Sequence, residues 1–121
     1  EKEPLREIFP YIDAMNIDLK GYTGSYYKKL HGDLETVKQT ICRASKSCHV
    51  EVATLIVQGE NDSPAEMEEL SAWLSLIDEE IPLHITPMYK YSGRSPTNVE
   101  TVYSLARIAG KNLKYVYTGN C

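Results

Sequence analysis

Apolar runs and amphipathic stretches alternate along the chain. The runs are Ile12–Leu19, Val50–Val57, Pro82–Thr86 and Lys114–Tyr117, and their content predicts four strands. They start roughly 32 to 38 residues apart, about one strand–helix–strand unit each. Between them lie helical patterns with start signals. Asp33 stands before a stripe of Leu34, Val37 and Ile41. Ser63-Pro64-Ala65-Glu66 reads as a capping box with proline at the first helical position, followed by Met67, Leu70, Leu74 and Ile77. Thr97-Asn98-Val99-Glu100 reads as a second box, followed by Val99, Val102, Ala106 and Ala109, with Gly110 as the stop. Ser25–Leu30 suggests a short helical turn, and Leu5–Phe9 the end of an earlier helix. Strand alternating with helix predicts an α/β fold with parallel strands and right-handed crossovers, residues 1–121 forming one domain.

The strands carry a second pattern. Side chains alternate between the faces of a strand. On the first, Met15, Ile17 and Leu19 share one face; Ala14, Asn16, Asp18 and Lys20 share the other. The second has one mid-strand charge, Glu51, and opens on His49, a surface or barrel-floor residue on this reading. The third puts His84 and Thr86 opposite Leu83 and Ile85. Strands in a parallel sheet are normally apolar on both faces because both are covered. Burying an amide, a carboxylate and an ammonium is costly without partners or water. Two readings follow for Asp18 and Lys20: a polar cavity at the carboxyl end of the strand, or a simple Asp–Lys pair at an exposed end. A lone histidine such as His84 is more often a satisfied core residue than a catalyst. A polar face recurring on three strands favours a wet inside and a helix-covered outside, part of a barrel rather than a doubly wound sheet.

The loops after the strands add candidates. Gln58-Gly59-Glu60-Asn61-Asp62 offers polar groups to a ligand, or plain turn and cap chemistry. Pro87–Pro96, with Tyr89, Lys90, Tyr91 and Arg94, suits a ligand with an aromatic ring and an anionic group, or is a solvated crossover. Gly21-Tyr22-Thr23-Gly24 matches neither a dinucleotide fingerprint nor a phosphate loop.

Composition narrows the classes. The chain has 121 residues, 42% hydrophobic and 25% charged, enough for one core and too few for a whole eight-unit barrel. A net charge of −4 argues against a nucleic-acid partner and against a basic membrane-surface patch. No apolar run reaches the length of a membrane span. Cys42, Cys48 and Cys121 form no disulfide framework or metal motif, so a reducing, cytoplasmic setting is expected. Cys42 falls on a helix stripe and is expected to be buried. A start at Glu1 and a final strand with no closing helix suggest a chain cut from something longer.

Four motifs in order carry a family resemblance. They are Asn16-Ile17-Asp18-Leu19-Lys20-Gly21, Leu55-Ile56-Val57-Gln58-Gly59-Glu60-Asn61-Asp62, Pro82-Leu83-His84-Ile85-Thr86-Pro87 and Tyr115-Val116-Tyr117-Thr118-Gly119-Asn120. Together they resemble radical S-adenosylmethionine enzymes, nearest to the pyruvate formate-lyase-activating-enzyme-like proteins of the AmmeMemoRadiSam-system branch. The resemblance implies a partial (β/α)6, TIM-like barrel holding a [4Fe–4S] cluster and S-adenosylmethionine. Three cysteines in a C-x3-C-x2-C loop would ligate the cluster, and reductive cleavage of the cofactor would yield a 5′-deoxyadenosyl radical. By motif match, Asp18 and Lys20 would contact S-adenosylmethionine, Lys20 neutralising its carboxylate. Asn16 falls where activating enzymes place a residue of a monovalent-cation site, with a different residue type. A cofactor-contacting arginine of those enzymes aligns with Ala53. A histidine corresponds to Tyr89, which keeps only aromatic contact to the adenine.

The cluster motif itself is missing. The resemblance therefore implies the C-terminal portion of such a barrel, lacking cluster ligands and inactive alone, with no catalytic residue assigned. Its partners would be the small-molecule cofactor and, in a glycyl-radical activase, a protein substrate. The alternative is a stand-alone α/β module binding a small ligand or a protein without redox chemistry.

Overall fold

The computed structural model describes residues 14–24, 27, 32–88 and 97–119. Among these residues four strands alternate with three helices: β1 (Ala14–Asp18), α1 (Leu34–Ser45), β2 (His49–Ile56), α2 (Pro64–Asp78), β3 (Leu83–Pro87), α3 (Val99–Ala109) and β4 (Val116–Thr118). The expected turn at Ser25–Leu30 lies, Tyr27 apart, outside the described residues, as does Leu5–Phe9. No helix among the described residues is long and apolar enough to cross a membrane.

Each helix starts where a short polar side chain replaces the first missing backbone acceptor. Asp33 accepts from the Glu35 N–H at 3.1 Å and from the Thr36 hydroxyl at 2.9 Å. Ser63 accepts from the Glu66 N–H, with Pro64 in the first turn. At α3 the structure corrects the sequence reading: the cap is Asn98, not Thr97. Thr97 is buried, and its hydroxyl donates to the Ile56 carbonyl at 2.6 Å. Of the expected stripe, Val102 and Ala109 are buried, while Val99 is exposed and Leu105 joins the buried face. Cys42 is half-buried rather than buried.

The sheet order is β1-β2-β3-β4, all parallel. Right-handed crossovers that always step in one direction place every helix on the same side of the sheet. A doubly wound sheet reverses its strand order to cover both sides; the described strands do not reverse. The core confirms the one-sided packing. Val50, Val52 and Ile56 of β2 and Leu83 and Ile85 of β3 are buried with Ile41, Met67, Leu70, Leu74, Val102 and Leu105 of the helices. Met15 and Ile17 of β1 pack against the same cluster.

Candidate functional site on the open face of the sheet

The register assigns the other face. Asn16 stands beside Glu51, Asp18 beside Ala53, Ala53 beside His84, Leu55 beside Thr86 and His84 beside Tyr117. Asn16 and Asp18 are exposed there, and Lys20 is exposed just beyond the end of β1. Asp18 and Lys20 lie at the carboxyl edge of the sheet, where ligands bind in α/β folds. Asp18 and Lys20 form no ion pair, with each other or with any other described residue, so the simple-pair reading does not hold. Tyr89 lies outside the described residues.

The same face carries a hydrogen-bonded row that sequence reasoning left without a role. The Nε2 of His84 lies 2.6 Å from Oε1 of Glu51, and the Nε2 of His49 lies 3.1 Å from Oε2. Both carboxylate oxygens therefore face imidazoles. The His84 hydrogen bond, and then that to His49, hold the Glu51 carboxyl below its ordinary range. The His84 ring stacks on Tyr117, with centroids 5.2 Å apart and planes 28° apart. His84 is thus no core histidine: its side chain is 37% exposed on the open face. The signal was present as the shared alternation phase of Glu51 and His84. Their contact, across 33 residues of sequence, depends on the register.

Asn61 proves structural. Its side chain is buried, accepts from the Val57 N–H at 2.7 Å, and donates to the carbonyls of Lys20 and Leu55 at 2.9 Å each. Glu66, the third residue of its helix, accepts from the Tyr22 N–H at 2.6 Å. Burial pushes its carboxyl up, against the pull of that hydrogen bond. Gly119 closes the far side of the face. A Cβ there would meet Thr86 Cγ2 at 2.9 Å, and the threonine is stiff about χ1.

The cysteines lie elsewhere. Cys42 is on α1, and Cys48 precedes β2, its thiol 3.4 Å from the Ala44 carbonyl oxygen. Among the described residues no group of His, Cys, Asp and Glu could hold a metal ion. A cleft of about 330 Å³ includes Cys48, His49, Pro82 and Tyr115, but it opens at the amino ends of the strands, away from Asp18 and Lys20.

No family model matches the chain. It is 38% identical over 130 residues to an uncharacterized protein of Methanocaldococcus jannaschii, an alignment covering 99% of this chain and 37% of that protein. The chain thus spans little more than a third of that relative. A crystal structure of a domain of pyruvate-formate lyase-activating enzyme from Bacteroides vulgatus has a similar fold. The TM-score is 0.86 over 99% of this chain and 75% of that one, at 14% identity. At that identity the likeness is one of fold. The chain is an α/β unit of four parallel strands alternating with helices, with the architecture of that activating-enzyme domain.

Proposed function

We propose that residues 1–121 are the C-terminal part of the partial barrel of a radical S-adenosylmethionine enzyme of the pyruvate formate-lyase-activating-enzyme-like kind. The observation that carries this reading is the polar face of the sheet that no described helix covers. A parallel sheet is normally covered and apolar on both faces, so Asn16, Asp18, Glu51 and His84 on a side that no described helix covers suit the wall of a lumen better than an isolated layer. Further strands beside β1 would close that lumen. The fold likeness to an activating-enzyme domain supports the same assignment.

Asp18 and Lys20 suit the amino-acid end of S-adenosylmethionine. One exposed carboxylate and one exposed ammonium, with no partner among the described residues, complement an ammonium and a carboxylate. Bound, the cofactor would supply the hydrogen-abstracting radical; the chain's own residues bind and orient it. The described residues do not fit an iron–sulfur cluster: two cysteines away from the carboxyl edge are no ligand set. These 121 residues alone are expected to perform no radical chemistry.

Calorimetric titration of the natural full-length protein with S-adenosylmethionine tests the site. Asp18→Asn and Lys20→Ala should each weaken binding by about tenfold or more, the usual scale of a lost charge-assisted hydrogen bond. Unchanged affinity in both variants would remove these residues from the site.

A further inference from the structure

We propose that Tyr27, Thr54 and Asn61 form a backbone clamp that positions Lys20 for the carboxylate of S-adenosylmethionine. This inference rests on the reading just given. It starts from a contrast on either side of one peptide. The Lys20 side chain is exposed and has no partner among the described residues, yet the backbone beneath it is held at every polar atom. The Leu19 N–H donates to the Ala53 carbonyl at 2.8 Å. The Leu19 carbonyl accepts from the Thr54 hydroxyl at 2.8 Å. The Lys20 N–H donates to the Tyr27 hydroxyl oxygen at 2.6 Å. The Lys20 carbonyl accepts from the Asn61 amide at 2.9 Å.

Three of those four partners are side chains, and all three are buried. They come from β2, from the loop after β2 and from the segment after β1, so the peptide is gripped from three directions. The grip continues at Tyr22, whose N–H is held by Glu66 and whose ring packs on Trp73 at 6.1 Å. Strand pairing alone requires none of the side-chain partners. Fixing the Cα–Cβ direction of a long cation lowers the cost of ordering it on an anion, because fewer backbone states are lost on binding. Tyr27 and Asn61 are positioning residues on this account and touch no ligand.

The experiment titrates the natural full-length protein with S-adenosylmethionine and with its decarboxylated analogue. It compares wild type, Tyr27→Phe, Asn61→Ala and Lys20→Ala, and each clamp variant in the Lys20→Ala background. Tyr27→Phe keeps the buried ring, so it remains informative where Asn61→Ala unfolds. Each clamp variant should weaken S-adenosylmethionine binding by about three- to tenfold, the scale of one lost hydrogen bond. Neither should alter the analogue's affinity, and neither should matter once Lys20 is alanine. Variants that leave wild-type affinity intact, or weaken both ligands alike, overturn the clamp while the cofactor reading stands. A wild type that binds no S-adenosylmethionine overturns both.

Discussion

Glu51 holds two imidazoles at once, and this decides how the open face responds to pH. Its carboxyl lies below the ordinary value of 4.5 because His84 first, and His49 second, stabilise the ionised form. A depressed folded value gives stability that is present above pH 4.5 and lost as pH falls through the folded value. Urea unfolding across the acid range should show this loss in the wild type and a shallower one in Glu51→Gln. Glu66 has the opposite sign. Burial raises its folded value above 4.5, so the ionised form costs stability, and the cost grows as pH rises through that value. Glu66→Gln keeps an acceptor for the Tyr22 N–H and should flatten that slope without loosening the loop. Equal slopes in wild type and Glu66→Gln would refute the assignment. Such residues are legible in sequence only by type and phase. Asp18 and Lys20 stood out because strand alternation alone places them on a polar edge. The Glu51–His84 contact and the Asn61 clip join residues 33 and 41 positions apart, and only the folded register brings them together.

At the scale of elements, local chemistry carried most of the information. Helix starts at Asp33 and Ser63 were readable because the capping side chain and the backbone group it serves are two or three residues apart. Thr97 and Asn98 show where that logic stops. Both are cap formers, and the Thr97 hydroxyl is engaged by the distant Ile56 carbonyl, which leaves the cap to Asn98. The two positions should therefore fail for different reasons. Asn98→Ala removes an exposed cap and should cost about 1 kcal/mol. Thr97→Ala leaves the Ile56 carbonyl with the Met88 N–H at 3.1 Å as its donor and should cost about 0.5–1.5 kcal/mol, the scale of one lost hydrogen bond. Thermal unfolding distinguishes these from Leu74→Ala in the core, expected at about 2–5 kcal/mol. Thr97→Ala behaving as wild type would show that the Met88 N–H alone satisfies the Ile56 carbonyl.

For the whole molecule, the strand order and the hand of the crossovers lead to one consequence. The three described helices cover one side, and among the described residues the sheet keeps a polar wall on the other. That much followed from the βαβ spacing together with one polar face on three strands. What the wall encloses did not, because no part of its opposite side is among the described residues. We propose that it encloses the lumen of a barrel completed by further strands of a longer protein. The direct measurement is the intact mass of the natural full-length protein, purified without oxygen, together with its iron and sulfide. A mass well above that of these 121 residues, with about four irons and four sulfides per chain, is the expected result for a cluster-bearing barrel. A protein of 121 residues carrying no iron would contradict it, and would leave Asp18, Lys20 and the Glu51–His84 row as a stand-alone binding face.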